Sequence, residues 1–555
     1  MKPVLLIVLD GFGIGPPGPG NAIAGADPAY LKQLVGQFPS TQLRASGEDV
    51  GLPAGESGNT EVGHINMGAG MIVYQSLPRI NMSIADGSFF SNEVLLKSIH
   101  SAKQTGRVVH LVGLVGSQHV HASVDHLYAL LRLCKQQEVE KVAIHVITDG
   151  RDSPPQTSAQ YLAKLDEVIR SLGVGRICSI MGRYYGMDRD RRWSRTQKAY
   201  DMLTKGSQQP AASWQEVVSK SYEQKIYDEF ILPTSLRLDD GSIITVQDGD
   251  SVIFFNFRID RPRQLTKAFV LPDFEARGNE TGYDPFATKY LRKHILQETD
   301  TSSTEPLFRR QVILRNLSFV TMTEYERDLP VDVAFPPHIV KNPLGKVLSE
   351  KGISQLRIAE SEKERFVTYY FNGLREQPFP REDRLIVPSP AVATYDLEPQ
   401  MSAPGITKAI VQALYKQHYR FILTNFANAD MVGHTGNISA AKAAIKTLDI
   451  CLSHIIPAAL KLNYLVLITA DHGNAEEMID KSTGEVRTEH TDNPVPLLVI
   501  AQELQGHPVT LQGGILADIA PTILSAMEIS KPYEMTGRNL LSEVAAYFQK
   551  GSGMI

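Results

Sequence analysis

MKPVLLIVLDGFG, at residues 1–13, contains the apolar run that decides the fold class. The run VLLIVLD (4–10) is too short for a membrane span and ends in Asp-Gly without the small-residue pattern of a signal-peptide cleavage site. Short apolar runs rich in β-branched residues that end abruptly in polar residues are typical of buried strands. We therefore predict a buried first strand that ends at Asp10.

Several later runs have the same pattern: VVHLVGLVG (108–116), VAIHVITDGRD (142–152), VIFFNFRIDR (252–261), FILTNFANAD (421–430) and LVLITADHGN (465–474). Helical patterns lie between them, such as VDHLYALLRLCKQQ (124–137) and the longer pattern at 438–462. Buried strands that alternate with helices indicate an α/β fold with mostly parallel sheets. In such sheets ligands bind beyond the carboxyl ends of the strands, where these runs carry residues capable of catalysis or metal binding.

The length and charge of the chain restrict its class. Its 555 residues exceed what one hydrophobic core organises, so we expect two or more domains. The 56 Lys and Arg residues against 61 Asp and Glu residues leave a mildly acidic surface, which argues against nucleic acid or an anionic membrane as a partner.

The cysteines and the hydropathy predict the compartment. Cys134, Cys178 and Cys451 have no C-x-x-C spacing, suit a reducing compartment and are interpreted as packing residues. No apolar stretch approaches the roughly 20 residues that span a bilayer. We therefore expect a soluble, cytoplasmic protein.

Acidic and histidine side chains follow three of the predicted strands or lie soon after them: Asp10, Asp430, His434, Asp471, His472 and His490. The spacing of Asp430 and His434 places both on one helix face if a helix begins near Asn428. Carboxylate oxygens and neutral imidazoles together suit Mn²⁺ or Zn²⁺, and two ions match that many ligands. Each residue alone has a simpler interpretation, since an Asp after a strand is often a helix cap or turn former and a lone His is usually an ordinary surface or core residue.

A hydroxyl nucleophile would complete such a site, and ESGNTEVGH (56–64) supplies two candidates, Ser57 and Thr60. Two metals that bridge a phosphate neutralise its charge, lower the pKa of a coordinated hydroxyl and align an in-line displacement. The alternative interpretation is a capping box, in which Ser57 or Thr60 caps a helix through EVGHINMG. Both interpretations can hold together, because a helix N-terminus is itself a phosphate site.

The chain resembles the cofactor-independent phosphoglycerate mutases of the alkaline phosphatase superfamily over nearly its whole length. The matching segments are VLDGFGIG (8–15), GNTEVGH (58–64), DGRDSPP (149–155), GRYYGMDRDRRW (182–193), FNFRIDRPRQ (255–264), SEKERFVTYYFNG (361–373), VPSPAVATYDLEPQMSAPGIT (387–407), NADMVGHTG (428–436), TADHGNAE (469–476), EHTDNPVP (489–496) and DIAPTIL (518–524). So many long matches in the same order are not explained by chance. The resemblance implies a metal-binding phosphatase-like domain, at 1–76 and 335–555, interrupted by a substrate-binding α/β domain at 77–334 that closes with it over the substrate.

The resemblance also implies the cofactors and the reaction. One divalent ion is assigned to Asp430, His434 and His490, and the other to Asp10, Asp471, His472 and the nucleophile. Mn²⁺ is the preferred ion, with Zn²⁺, Co²⁺ or Mg²⁺ as alternatives. The implied activity is the glycolytic and gluconeogenic interconversion of 3-phosphoglycerate and 2-phosphoglycerate without 2,3-bisphosphoglycerate. The expected partner is this small substrate, and we expect a monomer.

Two positions depart from the family pattern. The family nucleophile is a serine in G-N-S-E-V-G-H, and the aligned residue is Thr60. Threonine keeps the hydroxyl, while its methyl group restricts χ1 and crowds the attacking oxygen. We expect Thr60 to serve as the nucleophile, against the alternatives that Ser57 replaces it or that activity is lost. Ala391 stands where many relatives have lysine and has no assigned catalytic role.

The inserted domain supplies anion-binding groups in DGRD, GRYYGMDR, FRIDR and SQHVHAS: His121, Arg151, Asp152, Arg183, Arg189, Arg258 and Arg261. Arginine binds carboxylate and phosphate bidentately. An isolated arginine is usually a solvated residue or an ion-pair partner, but their clustering at strand ends argues for a substrate site. Asp152 is expected to act as general acid and base on the glycerate hydroxyls, and Lys363 to stabilise the transferring phosphoryl group.

Other functions stay open at this stage. A metal-dependent phosphatase or a phosphopentomutase of the same superfamily is one alternative, and a catalytically silent binding relative is another, favoured only by Thr60. The polar stretch at 275–310 is interpreted as a surface insertion.

Overall fold

The computed structural model describes residues 2–280 and 305–550. They form two compact units, one from Met1–Gln75 and His338–Ile555 and the other from Ser76–Pro337. Each unit is an α/β fold with its own sheet, in which parallel strands predominate, and its own hydrophobic core. The α/β fold with two domains that the sequence predicts is confirmed.

Among the described residues, the first unit has a sheet of eight strands. In spatial order the strands are Glu382–Val387, Gln355–Glu360, Phe421–Phe426, Val4–Leu9, Leu465–Thr469, Val495–Ile500, Ser40–Arg44 and Gly514–Ile515. The first five run parallel, and Val495–Ile500 is antiparallel to both of its neighbours. Every residue of Val4–Leu9 is buried, as its apolar run predicts.

The helical pattern predicted at 438–462 is confirmed as one of the helices of the first unit, and another helix begins at Asn428, as the spacing of Asp430 and His434 requires. The helices of this unit are Ala22–Ala26, Ala29–Val35, Thr60–Ala69, Leu344–Glu350, Ala403–Lys416, Asn428–Gly433, Ile438–Lys461, Ile519–Ala526 and Ala545–Lys550. The amide side chain of Asn437 accepts a hydrogen bond from Ala440 N–H and so fixes the start of the longest helix.

The helix Ile438–Lys461 corrects one prediction from the sequence. With 24 residues and a mean hydropathy of 1.4 in its most apolar window, it is long and apolar enough to cross a membrane, although we expected no such stretch. Half of that window, 50%, is buried inside the protein, where the helix packs against Ala403–Lys416 and Asn428–Gly433. A buried core helix has the same composition, so its apolar side chains are accounted for by packing within the unit.

The second unit has a sheet of seven strands among the described residues. In spatial order they are Thr234–Ser235, Arg176–Gly182, Val142–Thr148, Val109–Val115, Ser251–Phe254, Ser318–Thr321 and Asp332–Val333. All neighbours are parallel except Thr234–Ser235, which is antiparallel to Arg176–Gly182. The helices are Ser76–Ala85, Glu93–Thr105, Val124–Gln136, Ser158–Leu172, Arg183–Gly186, Trp193–Lys205, Trp214–Glu223, Arg263–Val270 and Phe274–Arg277.

The cysteines and the predicted insertion complete the comparison. All three cysteines are free and buried, which agrees with their interpretation as packing residues. The insertion predicted at 275–310 lies largely outside the described residues. Its described ends are not a simple surface loop, because Arg310 is buried and binds Glu275 with its Nη2 atom at 2.9 Å.

Candidate metal centre and anion site

Three neighbouring strands of the first unit bring three carboxylates to one edge of the sheet. The strand Val4–Leu9 lies between the strands Phe421–Phe426 and Leu465–Thr469 and is parallel to both. Leu9 is opposite Phe426, and Val8 is opposite Thr469. Asp10, Asp430 and Asp471 follow these strand ends and are buried. We define the metal cluster as these residues together with the groups that face them: Thr60, Lys363, His434, His472 and His490.

Two glycines permit the close packing of this edge. Gly11 has φ +72°, and a Cβ atom on it would lie 2.7 Å from the Cα of Asp430. A Cβ atom on Gly63 would lie 2.6 Å from the Cβ of Asp471. Gly11 lies in the motif VLDGFGIG and Gly63 in the motif GNTEVGH. Because neither residue has a side chain, the strand ends and the helix Thr60–Ala69 can pack closely against one another.

Thr60 is the first residue of its helix and does not cap it. The cap is Asn59, whose side chain accepts a hydrogen bond from Val62 N–H, so the alternative in which Thr60 or Ser57 caps the helix is wrong. The Thr60 side chain instead lies in the metal cluster, buried to 6% exposure. Its Oγ1 atom lies 3.0 Å from His472 Nε2 and 3.4 Å from Asp10 Oδ1.

The ammonium group of Lys363 lies between two carboxylates of the metal cluster. Its Nζ atom is 2.8 Å from Asp10 Oδ1, 2.7 Å from Asp430 Oδ2 and 3.2 Å from Thr60 Oγ1. Burial lowers the pKa of Lys363, but the charges of Asp10, Asp430 and Asp471 outweigh it and raise the pKa above its ordinary value. The lysine therefore stays charged beside the Thr60 hydroxyl.

The histidines of the metal cluster all direct one ring nitrogen at a backbone carbonyl. His434 Nδ1 lies 2.7 Å from Thr488 O, and His490 Nδ1 lies 2.9 Å from Gly58 O. A carbonyl oxygen only accepts, so each Nδ1 carries a proton, and each ring, when it is neutral, directs its Nε2 lone pair at the cluster. His472 is held in the same way, with Nδ1 3.2 Å from Gly473 O.

These acceptors converge on positions that suit a cation. The Nε2 atoms of His434 and His490 are 3.1 Å apart and lie 3.1 Å and 3.3 Å from Asp430 Oδ1. Neutral imidazoles and a carboxylate repel at such distances unless a proton or a metal ion lies between them. Asp430, His434 and His490 form one group of suitable ligand atoms, and Asp10, Asp430 and His472 form a second.

The charges of the buried groups agree with a cation site at these positions. Burial lowers the pKa of His472, but Asp471, Asp10 and Asp430 outweigh it and raise the pKa to about 10. The Oδ2 atom of Asp471 is buried and makes no hydrogen bond within the described part of the chain, and His64 Nδ1 lies 3.4 Å from it. Negative potential and an unsatisfied carboxylate oxygen are features of a divalent cation site.

Sequence reasoning missed the residues that support the ligands. Asn425 donates from Nδ2 to Asp10 Oδ2 at 2.7 Å and faces His64 Nε2 at 3.1 Å. His64 Nδ1 lies 2.9 Å from Thr60 O and 3.4 Å from Asp471 Oδ2. Two signals in the sequence point to these residues: Asn425 is a polar amide within the apolar run FILTNF, and His64 is the last residue of GNTEVGH. Hydrogen bonds from such residues orient the side chains that bind a metal ion.

The second unit brings together most of its predicted anion-binding residues. We define the arginine cluster as His121, Asp152, Arg183, Arg189, Arg258, Asp260 and Arg261. Arg183 Nη1 lies 2.5 Å from Asp152 Oδ2, and His121 Nε2 lies 3.7 Å from the same oxygen. Asp260, which sequence reasoning missed within FRIDR, accepts from Arg189 Nη1 at 2.7 Å and lies 3.4 Å from Arg258 Nε.

Several buried donors of the arginine cluster lack partners. Within the described residues, Nε and Nη2 of Arg183 and Nε of Arg261 make no hydrogen bond, and neither does the ring nitrogen Nδ1 of His121, which lies 3.6 Å from Asp260 Oδ1. Burial lowers the pKa of Arg261, and the charges of Arg183, Arg189 and Arg151 lower it further. Burial also lowers the pKa of His121 to about 4, although Asp260 opposes this shift. Unsatisfied donors among several like charges are the features of an anion site.

One predicted member has another partner. The Arg151 guanidinium forms an ion pair with Glu229 and is about half exposed. Its backbone N–H donates to Asp149 Oδ1 at 3.3 Å. In this structure the side chain of Arg151 is therefore outside the hydrogen-bonded part of the arginine cluster.

Comparison with known proteins gives a consistent result. The family model described as the BPG-independent PGAM N-terminus matches residues 80–327. The 2,3-bisphosphoglycerate-independent phosphoglycerate mutase of Moorella thermoacetica is 48% identical over 541 residues, which cover 97% of this chain and 98% of that protein. The protein of the same name from Clostridium perfringens is 44% identical over 543 residues, covering 98% and 99%.

A solved structure agrees over the same length. The crystal structure of Leishmania mexicana phosphoglycerate mutase at low cobalt concentration is 26% identical and covers 97% of each chain, with a TM-score of 0.55. The sequence relatives and this structure each span nearly the whole chain and not one unit alone.

Proposed function

The chain belongs to the 2,3-bisphosphoglycerate-independent phosphoglycerate mutases, and from this premise we propose that it interconverts 3-phosphoglycerate and 2-phosphoglycerate through a phosphothreonine at Thr60. The observation that carries the proposal is the position of Thr60 Oγ1, at the start of a helix and within 3.4 Å of Lys363, Asp10 and His472. A hydroxyl with these neighbours suits nucleophilic attack on a phosphate.

We propose that the two units have separate roles. The first would be the metal-binding, phosphatase-like domain, predicted at 1–76 and 335–555, and the second the substrate-binding domain, predicted at 77–334. Division of the structure after Gln75 and Pro337 supports these limits. The metal cluster belongs wholly to the first unit and the arginine cluster wholly to the second.

The proposed cofactors are two divalent ions, with Mn²⁺ preferred over Zn²⁺, Co²⁺ and Mg²⁺. Asp430, His434 and His490 would hold one ion, and Asp10, Asp471, His472 and Thr60 the other. When bound, such ions offset phosphate charge and lower the pKa of a hydroxyl. The two groups of convergent ligand atoms support this number, although in the second group Asp430 stands with Asp10 and His472 where Asp471 was predicted.

In the first half of the reaction, the Thr60 hydroxyl gives its proton to solvent, which a bound divalent ion would favour by lowering the hydroxyl pKa, and Oγ1 bonds to the phosphorus of 3-phosphoglycerate. The bond from phosphorus to the substrate 3-oxygen breaks, and Asp152 gives a proton to that oxygen. The Lys363 ammonium neutralises charge that develops on the transferring phosphoryl group, which its place between Asp10 and Asp430 supports.

In the second half, the glycerate 2-oxygen attacks the phosphothreonine. Asp152 takes the proton of the 2-hydroxyl group, the bond from phosphorus to Thr60 Oγ1 breaks, and 2-phosphoglycerate forms while Oγ1 leaves in the deprotonated form in which it attacked. His121, Arg183, Arg189, Arg258 and Arg261 would bind the carboxylate and hydroxyl groups of glycerate, and Arg151 would join them if its pair with Glu229 opens. The unpartnered donors of Arg183 and Arg261 support this assignment.

Parallel assays on one preparation test the proposal against a phosphatase, a phosphopentomutase or a silent binding relative. We expect an enolase-coupled assay to detect interconversion of the phosphoglycerates without added 2,3-bisphosphoglycerate. Phosphate release without isomerisation would favour the phosphatase, and turnover of pentose phosphates alone the phosphopentomutase. Mass spectrometry of protein quenched during turnover is expected to find phosphate on Thr60, and its presence on Ser57 instead would contradict the assigned nucleophile.

A further inference from the structure

Asp149, the residue after the strand Val142–Thr148, is a buried carboxylate that neither the predicted site nor the proposed reaction includes. Its Oδ1 accepts hydrogen bonds from Arg183 Nη1 at 2.5 Å and from the N–H groups of Arg151 and Asp152 at 3.3 Å and 3.2 Å. Its Oδ2 accepts from the N–H group and the hydroxyl group of Ser153 at 2.9 Å and 2.7 Å. One side chain thus binds the loop that carries Asp152 and the guanidinium group beside it.

The contact with Arg183 determines which part of that guanidinium is available. Thr148 is opposite Gly182 in the sheet, and these are the last residues of two adjacent strands. Asp149 and Arg183 directly follow these two strand ends and are therefore neighbours. Asp149 and Asp152 share Nη1 of Arg183, while Nε and Nη2 make no hydrogen bond with the described residues. Nε–H and Nη2–H lie side by side on one edge of the guanidinium plane, the arrangement that binds an anion bidentately.

From this geometry we propose that Asp149 is a positioning residue of the mutase reaction. It holds Nη1 of Arg183, so that the Nε–Nη2 edge faces an anionic group of the substrate, and it fixes the backbone that carries the Asp152 carboxylate. The inference rests on the proposed roles of Arg183 and Asp152 in binding and proton transfer. Asp149 acts through these two residues and does not itself touch the substrate.

The charge of Asp149 is suited to this role. Burial raises the pKa of the carboxyl, but Arg183 and Ser153 outweigh it and keep the pKa below its ordinary value. An ionised carboxylate accepts from five donor groups at once, which an amide cannot do because one of its two terminal atoms is itself a donor. The substitution Asp149→Asn therefore keeps the shape of the side chain and removes the function proposed for it.

A second buried aspartate of the same unit provides a matched control. Asp250 lies before the strand Ser251–Phe254, at the other end of the parallel sheet, and accepts hydrogen bonds from Val108 N–H at 3.1 Å and Gln247 N–H at 2.8 Å. Asp250→Asn thus removes a buried carboxylate of the same unit that binds a loop and the His110 ring, whose Nε2 atom lies 3.1 Å away, outside the arginine cluster. If the activity of Asp149→Asn fell only because packing was weakened, Asp250→Asn would lose activity to a similar extent.

The experiment measures kcat and KM for 3-phosphoglycerate in the full chain, for Asp149→Asn, Asp250→Asn, Arg183→Lys and the double variant Asp149→Asn/Arg183→Lys. Circular dichroism and melting temperature first establish that each variant is folded. We expect Asp149→Asn to lower kcat/KM about 100-fold and Asp250→Asn to stay near the wild type. We also expect Asp149→Asn to have little further effect when Arg183→Lys is already present.

The possible failures are distinguishable. If the losses in the double variant multiply, or if Asp250→Asn lowers kcat/KM as much as Asp149→Asn, the role of Asp149 is structural and the inference is wrong, while the proposed function stands. If Arg183→Lys has no effect on kcat/KM, the proposed role of Arg183 is wrong. Should Asp149→Asn not fold, Asp149→Glu is measured instead. It keeps the charge but moves the oxygens, so we expect a raised KM, and an unchanged KM would overturn the inference.

Discussion

The Nζ atom of Lys363 lies 3.2 Å from the Oγ1 atom of Thr60, on residues that are 303 positions apart in the chain. The hydroxyl that we propose as the nucleophile and the ammonium group that would stabilise its phosphate are thus neighbours in one unit. This relationship makes position 60 the most direct test of the proposed mechanism.

Thr60→Ala is expected to abolish mutase activity, with a loss of about 10⁴-fold or more, because no other hydroxyl is predicted to replace it. Thr60→Ser is expected to keep activity, since it retains the oxygen and removes only the methyl group that restricts χ1. The enolase-coupled assay measures both. Ser57→Ala is the control and is expected to behave as the wild type, and a wild type as inactive as Thr60→Ala would favour a silent binding protein.

Removal of divalent metal is expected to abolish activity and to lower the melting temperature. A ligand that binds only the folded state stabilises it, so the thermal shift reports binding independently of turnover. Elemental analysis after dialysis against Mn²⁺ is expected to find two ions per chain. His490→Ala is expected to lose one of them, whereas the exposed His454, which is outside the metal cluster, is expected to tolerate substitution by alanine. An unchanged metal content in His490→Ala would contradict the assigned ligand set.

Asp152→Asn is expected to lower kcat by about 10²- to 10⁴-fold with a smaller change in KM, because it removes a group that moves protons in the transition state. Steady-state kinetics across the pH range is the measurement. Asp240, exposed in the same unit, supplies the control variant Asp240→Asn. An Asp152→Asn enzyme with a raised KM and an unchanged kcat would instead assign Asp152 to substrate binding alone.

Glu360 is expected to make the stability of the chain depend on pH. Burial raises the pKa of this carboxyl from its ordinary value of 4.5 to about 7. Between pH 4.5 and pH 7 the Glu360 carboxyl is therefore protonated in the folded state and ionised in the unfolded state. The free energy of unfolding falls as the pH rises through this range. The cost of ionising the buried group above pH 7 is about 3 kcal/mol of unfolding free energy.

Glu360→Gln is accordingly expected to raise the melting temperature at pH 8 and to have a much smaller effect near pH 4.5. Scanning calorimetry at both pH values measures the difference. Glu350→Gln, at an exposed position in the same unit, is expected to change neither value. Equal shifts at the two pH values would show that the ionisation of Glu360 does not contribute.

Gly63→Ala is expected to destabilise the first unit by about 1–3 kcal/mol and to reduce metal binding. The new Cβ atom would lie 2.6 Å from the Cβ of Asp471 and push the Thr60 helix away from the strand ends. Thermal unfolding and metal content are the measurements. Gly18→Ala is the matched control, since no atom lies within 4 Å of its would-be Cβ.

Much of the fold followed from local patterns in the sequence. The runs at 4–10, 421–430 and 465–474 contain the strands Val4–Leu9, Phe421–Phe426 and Leu465–Thr469, because short apolar segments of this kind are stable when they are buried between helices. Parallel strands place their carboxyl ends on one edge, so the sequence alone predicts that Asp10, Asp430 and Asp471 lie together.

The tertiary structure decided which atoms of these side chains meet. Asn59 and not Thr60 caps the helix, the Arg151 side chain pairs with Glu229, and the carboxylate of Asp149 binds both Arg183 and the loop of Asp152. A hydrogen bond depends on tenths of an ångström and on direction, which are set by the packing of segments far apart in the chain. Residue type and spacing determine the secondary structure and the available chemical groups, whereas the partner of each group exists only once the segments are packed together.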